Sequence, residues 1–221
     1  MFSVDNLTID QGGRRLWDSI SFSLKAGERL GISAPSGFGK TTLGRVLAQW
    51  QSATSGQILL GGAPLAKKGY CPVQLVPQHP EQSFNPYRTT GDSLHDAWRP
   101  DSYWLERMAV NPDWLKRRPD ELSGGELARI ALLRALDPRT RYLIADEVTA
   151  QLDAHIQAQV WHVLLAEAAH RPLGLIVFSH NKALLEKVCS RIWIPAQENE
   201  TSLYPGSKVK PHLGLAMVKT G

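Results

Sequence analysis

Ala34-Pro35-Ser36-Gly37-Phe38-Gly39-Lys40-Thr41 follows the short, mostly apolar run Arg29–Ser33 and precedes Thr41–Gln49, where Leu43, Val46 and Leu47 share one helical face. Strand, glycine-rich turn and helix in that order make a phosphate-binding loop. Successive backbone N–H groups and the amino terminus of the helix together cradle phosphate oxygens. On this spacing Lys40 reaches the β- and γ-phosphates of a nucleotide, the Thr41 hydroxyl meets magnesium, and Thr42 comes within reach of the α-phosphate. Ala34 stands where the pattern commonly starts with glycine, at little cost if its φ is negative. A glycine-rich hairpin that merely contains a lysine is the plain alternative, and the flanking elements argue against it.

Working outward, Phe2, Val4, Leu7 and Ile9 alternate imperfectly and Ile20, Phe22 and Leu24 alternate cleanly, with Gly12-Gly13 between them. That pattern predicts an antiparallel β unit at the amino terminus. Gln57–Leu60, Val73–Val76, Arg141–Ala145 and Leu173–Phe178 read as further strands, the last apolar enough for the middle of a parallel sheet. Gly124–Leu136 and Ala154–Ala169 read as helices. From about Pro80 to Glu121 the composition shifts to prolines (Pro80, Pro86, Pro100, Pro112), aromatics and helical fragments, which predicts an inserted helical lobe. The expected fold is α/β: a phosphate-loop (P-loop) nucleoside-triphosphatase core with an N-terminal antiparallel β subdomain and that inserted helical lobe at about 80–122.

Size and charge narrow the partners. The chain has 221 residues, 43% hydrophobic and 21% charged, with a formal net charge of +4. Such a chain buries a substantial core. Its mild basicity is accounted for by polyphosphate binding, so no nucleic acid is expected. Cys71 and Cys189 lack metal-ligand spacing and read as small apolar fillers. Met1–Asp10 alternates like a strand and not like a signal peptide. No stretch reaches the ~18 apolar residues of a membrane helix, so any membrane role is expected to run through a partner.

Two more motifs carry chemistry. Asp146-Glu147 closes an apolar strand, so both carboxylates should emerge beside the phosphate loop. Asp146 suits magnesium and Glu147 suits a general base for an attacking water. A pair of acids capping the next helix is the alternative. Leu122-Ser123-Gly124-Gly125-Glu126 opens a helix, a second anion receptor of the same physical kind.

With the phosphate loop, Leu122–Glu126 and Ile144-Ala145-Asp146-Glu147 in this order, the chain over residues 1–195 resembles the nucleotide-binding subunit of an ABC transporter. The resemblance implies ATP and magnesium (Mg2+) as ligands. It also implies roles for single residues. Gln78 matches the glutamine that senses magnesium and the attacking water. Leu152-Asp153 matches the loop after the catalytic acids, with Val148 where proline is usual, and Asp153 joins the nucleotide-binding set. His180 matches the histidine that contacts the γ-phosphate. Ser123, Gly124, Gly125 and Glu126 are implied to bind a nucleotide held by a second ATP-binding subunit, the same chain or a paralogue, so that ATP joins two subunits and hydrolysis parts them. The aromatic that commonly lies under adenine is replaced by Gln11; Trp17 or Phe2 is left to substitute, or adenine stacking is weak, so that ATP over GTP rests on the resemblance alone.

Gln78–Pro86 (Gln-His-Pro-Glu-Gln-Ser-Phe-Asn-Pro) is similar to a pattern in the ATPases of bacterial peptide and nickel importers, although a proline-shaped connector reads equally from its composition. The expectation is an ATP-hydrolysing motor, peripheral at the cytoplasmic face of the inner membrane. Its implied partners are membrane-spanning permease subunits and, indirectly, an extracytoplasmic solute-binding protein. Its cargo is peptides, nickel or a metal chelate. A non-transport ABC ATPase serving as a switch subunit of a soluble assembly is the alternative, and a phosphate-loop kinase leaves Leu122–Glu126 and His180 unexplained. Trp98, Trp104 and Trp114 read as core or partner-docking residues, Lys116-Arg117-Arg118 as a solvated charge run, and residues 196–221 as a polar strand or tail of low order.

Overall fold

A computed structural model describes residues 1–66 and 68–195 and the backbone of residues 217–219. The remainder of the expected tail lies outside the described residues. Strands β1 (Phe2–Gln11) and β2 (Arg14–Leu24) form a hairpin across Gly12-Gly13, and β4 (Ser55–Leu60) and β5 (Ala63–Pro64) extend it into a four-stranded antiparallel sheet in the order β2-β1-β4-β5. The imperfect alternation of β1 has a physical origin. Register shifts interrupt the β1–β2 pairing on either side of Leu7, and Asn6 and Ser19 there adopt positive φ (48° and 47°). Bulges of this kind displace the side-chain period by one and bend the strand.

The second sheet has six strands in the order β10-β9-β3-β8-β7-β6. They are β3 (Arg29–Ile32), β6 (Val73–Val76), β7 (Tyr142–Asp146), β8 (Gly174–Phe178), β9 (Arg191–Trp193) and β10 (Met217–Lys219). All pairings are parallel except β9–β10. Continuous apolar runs are what a sheet covered on both faces requires. Leu143, Ala145, Leu175 and Val177 enter one core with α4 (Gly124–Ala135) and α5 (Ala154–His170), while Tyr142, Ile144, Ile176 and Phe178 enter another with α1 (Lys40–Leu47) and the antiparallel sheet. The period of two along each strand sorts the side chains between two cores.

Helix α1 lies close against its sheet because residue 44 is glycine. A Cβ there would stand 3.0 Å from the Phe178 ring and 3.2 Å from Leu75. The helix ends where Ala48 caps it and Gln49 turns to a φ of 62°, short of the Gln49 end read from spacing.

Residues 80–121 form a 3-10 turn (Pro80–Ser83), α2 (Thr90–His95), α3 (Ser102–Arg107) and two more 3-10 turns (Pro112–Lys116, Pro119–Glu121). Thr89 and Asp92 close a capping box on α2, which satisfies backbone donors that a helix of six residues would otherwise leave free. This segment has no separate core. Phe84, Leu94, Met108 and Val110 are buried in the same cluster as Leu127, Ile130 and Leu133 of α4. Trp98, Trp104 and Trp114 pack on that cluster, and the Trp98 indole donates to the Leu133 carbonyl at 2.9 Å. Lys116, Arg117 and Arg118 are exposed, with Lys116 paired to Asp113 at 2.7 Å. Cys189 is buried, which pushes its thiol up to about 12. Helix α6 (Lys182–Val188) completes the chain before β9. Among the described residues no helix is long and apolar enough to cross a membrane.

Candidate functional site

The register of the parallel sheet levels the carboxyl ends of four strands. Ile32 of β3 and Asp146 of β7 both pair with Phe178 of β8, and Ala145 pairs with Val76 of β6. The loops leaving these ends carry Ala34–Thr41, Glu147, Ser179-His180 and Gln78. A ligand site is expected at such an edge.

The loop itself needs glycine at two positions. Gly37 and Gly39 have φ of 79° and 91°, conformations that other residues adopt only with strain. Gly39 is the amino-terminal cap of α1, and Leu43 donates to its carbonyl at 2.9 Å. That same carbonyl accepts from the Trp17 indole at 3.0 Å. A Cβ on Gly39 would stand 3.1 Å from the Trp17 indole nitrogen and 3.2 Å from Leu16, so β2 braces the loop from behind.

Lys40 is buried at 6% exposure, and its Nζ donates to the carbonyls of Ala34 (2.6 Å) and Pro35 (3.0 Å). It also lies 3.7 Å from Oε1 of Glu147. Thr41 Oγ1 donates to Asp146 Oδ2 at 2.6 Å, and Thr42 Oγ1 donates to Gln11 Oε1 at 2.9 Å. Burial raises the Asp146 carboxyl above its ordinary value, and the Glu147 charge adds to this, while Thr41 and Lys40 oppose it. Glu147 has a φ of 49°, held by its N–H donating to the Phe178 carbonyl at 3.1 Å. A glutamate in this region is strained, and the strain turns its carboxylate toward the loop. Oε2 of Glu147 lies 2.8 Å from Nδ1 of His180, whose ring is largely exposed.

The donor chemistry fits a magnesium nucleotide. Magnesium prefers few protein oxygens completed by phosphate and water, and the chain offers one hydroxyl and one carboxylate, Thr41 and Asp146. Lys40 and the N–H groups of residues 36–41 supply positive potential for the phosphates. Among the described residues no group of three or more His, Cys, Asp or Glu converges as a self-sufficient metal cluster.

The turn Leu122–Glu126 is a separate locus. Ser123 caps α4: its Oγ accepts from Glu126 N at 3.3 Å, and its N–H donates to Glu126 Oε2 at 2.7 Å. Those bonds hold the Glu126 carboxyl below its usual range. Gly124 and Gly125 lie under the loop after the acids. A Cβ on Gly124 would run into the Gln151 side-chain oxygen, and one on Gly125 would sit 3.1 Å from Leu152. Asp153 caps α5, accepting from His155 N and Ile156 N at 3.0 Å. Gln78 is exposed, two residues past the end of β6.

Two readings of the adenine neighbourhood do not hold. Trp17 is 3% exposed, edge-on to Phe38 at 5.1 Å, and Phe2 is fully buried against Tyr142. Neither offers a face to a base. What the sequence reading missed is the brace itself, Trp17 on Gly39 and Gln11 on Thr42. Its signal was faint: Trp17 falls on the inward side of β2 only once the bulge is known.

Comparison with known proteins supplies the family. The family model described as "ABC transporter" matches residues 17–150. A protein of Brucella ovis named as a putative peptide import ATP-binding protein is 31% identical over 197 residues, covering 80% of this chain and 62% of its own length. The oligopeptide transport ATP-binding protein AppF of Bacillus subtilis is 32% identical, with 80% of this chain and 60% of its own length covered. The chain thus spans about three fifths of the curated relatives it matches. Among solved structures, the dimeric post-hydrolysis state of the ATP-binding cassette MJ0796 with ADP and Pi superposes with a TM-score of 0.75 at 20% identity, covering 88% of this chain and 94% of that one. That likeness establishes the fold.

Proposed function

The chain belongs to the ABC transporter family, and on that premise we propose that it is the ATP-hydrolysing motor subunit of an importer. The observation that carries this reading is the convergence of Lys40, Thr41, Asp146, Glu147 and His180 at the ends of β3, β7 and β8. Residues 34–42 bind the triphosphate, with Lys40 leaving its carbonyl partners for the β- and γ-phosphates. Thr41 and Asp146 would hold magnesium, which would neutralise phosphate charge there, and Gln78 would sense it. Glu147 orients and deprotonates the attacking water. His180 holds the Glu147 carboxylate in place and meets the γ-phosphate.

Ser123, Gly124, Gly125 and Asp153 act on a nucleotide bound by a second ATP-binding subunit, the same chain or a paralogue. The amino terminus of α4 is a fitting anion receptor for that purpose. The motor sits at the cytoplasmic face of the membrane against permease subunits that meet the lobe of residues 80–122, and a solute-binding protein delivers the cargo outside. The names of the relatives favour peptides over nickel or a metal chelate as cargo. Nothing in those names favours a non-transport switch subunit.

Two measurements test the proposal. Magnesium-dependent phosphate release from ATP should be present and lost in Lys40→Ala. Co-purification from native membranes should recover a permease of several spans; recovery with a soluble assembly alone would overturn the transport role.

A further inference from the structure

The loop that follows Glu147 is gripped by two side chains of one helix. Thr149 is 2% exposed. Its Oγ1 accepts from Nε2 of Gln157 at 2.9 Å and from Nε1 of Trp161 at 3.1 Å. Its carbonyl accepts from Gln157 Nε2 as well, at 3.2 Å. Gln157 and Trp161 stand four residues apart on α5 and so share one face of it. That helix is a firm base: Val160, Val163 and Leu164 are buried in the core, and Asp153 caps its first turn.

Glu147 needs such an anchor. A glutamate at a φ of 49° keeps that conformation only where its surroundings fix it. Ala150 N donates to the Glu147 carbonyl at 3.0 Å, which closes a four-residue turn with Thr149 inside it. A rotation at Thr149 is therefore passed to the Glu147 peptide. No proline sets a φ within Glu147–Asp153. A cavity of about 370 Å³, bordered by Glu147, Val148, Leu152, Trp161 and His180, lies beside the loop, so close packing does not hold it on that side. Directed bonds from α5 take the place of packing there.

Resting on the reading of Glu147 as the general base, we propose that Gln157 and Trp161 are positioning residues for hydrolysis, acting through the Thr149 hydroxyl. They hold the strained Glu147 peptide in the conformation that sets its carboxylate between Lys40 and His180. Misplacing a reacting group by about 1 Å costs on the order of 100-fold in rate. The phosphate loop stands on β3 and α1 and does not depend on this grip. Turnover is thus governed by α5, and nucleotide affinity is not.

Phosphate release and titration with a fluorescent ATP analogue, both on the full chain, separate the two. Thr149→Val keeps the shape and removes the acceptor: kcat should fall about tenfold or more while the dissociation constant moves less than about twofold. Thr149→Ser keeps the hydroxyl and should hold kcat within about threefold of the unaltered chain. Gln157→Met, at a half-buried site, withdraws a donor without altering the loop and should lower kcat about fivefold. It carries the test alone where Thr149→Val does not fold. Joined to Thr149→Val it should add little, because both changes break one contact. The inference is overturned by a kcat within about twofold of the unaltered chain in both variants, by losses of kcat and affinity that match, or by Thr149→Ser no more active than Thr149→Val. Glu147→Gln tells this failure from failure of the base. Near-normal turnover in it overturns the base and the inference together, whereas lost turnover in it beside an intact kcat in Thr149→Val and Gln157→Met overturns the inference alone.

Discussion

One carboxylate serves two partners: Oε2 of Glu147 meets Nδ1 of His180 at 2.8 Å while Oε1 faces Nζ of Lys40 at 3.7 Å. The acid is almost wholly buried and the imidazole largely exposed, so the pair has one fixed member and one that solvent can reach. Replacing Glu147 by glutamine keeps the size and the strained backbone and removes the base. Phosphate release should fall about 100-fold or more, since general-base catalysis contributes at least that much. ATP binding should survive, and the variant should accumulate as an ATP-held dimer in size-exclusion chromatography. Near-normal turnover would mean that Glu147 is not the base.

Lys40 makes its contacts by folding back on Ala34 and Pro35. A phosphate competes well for those donors, because it offers the ammonium a full opposite charge where the carbonyls offer only a dipole. Lys40→Ala should weaken ATP binding about tenfold or more, read by titration with a fluorescent analogue. Its melting temperature checks that the loop has not simply collapsed. Unchanged affinity would remove residues 34–41 from the site.

Trp17→Phe tests the brace. An aromatic ring is kept, but the donor to Gly39 and the second ring of the indole are lost, together about 2 kcal/mol for a hydrogen bond and the void left at a buried site. In a chain of this size that corresponds to a fall of about 4–8 °C in melting temperature. Because the bond fixes the peptide of Gly39, ATP affinity should also fall about fivefold. A fall in stability with affinity untouched would make Trp17 a packing residue alone.

Much of this was legible because it is local. The loop 34–41, the acids closing β7 and the cap at Ser123 are each written in consecutive residues whose geometry follows from glycine, strand and cap chemistry. The middle of the parallel sheet was legible too, since Leu173–Phe178 is apolar without alternation. What escaped were relations between distant segments. Trp17 reads as available from the sequence and is in fact spent on residue 39. The β1–β2 bulges shift the side-chain period at Asn6 and Ser19, whose positive φ the alternation of apolar residues does not announce. The helical segment of 80–121 read as a lobe, yet its apolar residues close the core of α4. Gln151 over Gly124 joins the loop after the acids to the turn Leu122–Glu126, a contact that spacing alone cannot reveal.

The end of α4 supplies a prediction in pH. Asp137 is 1% exposed and accepts from the Arg139 backbone N–H (2.8 Å), its Nε (3.0 Å) and a terminal guanidinium nitrogen (2.6 Å). Arg139 also donates to the Ala97 carbonyl, and Arg171 donates to the carbonyls of Leu136 and Asp137, so the turn ties α4 to residue 97 and to the end of α5. Burial pushes the Asp137 carboxyl up, but the bonds and charges of Arg139 with the charge of Arg171 outweigh it and hold the group below its ordinary 3.8. A carboxyl depressed in the folded state stabilises it above the unfolded pKa, and that contribution is lost as pH falls through the folded value. Asp137→Asn should cost about 2 kcal/mol at pH 7, or about 4–8 °C in melting temperature. The gap between the two proteins should hold down to about pH 5 and close below about pH 4 as the native carboxyl takes up its proton. Thermal melts at stepped pH read this directly, and a gap that persists unchanged at pH 3 would mean that Asp137 acts through shape and not through charge.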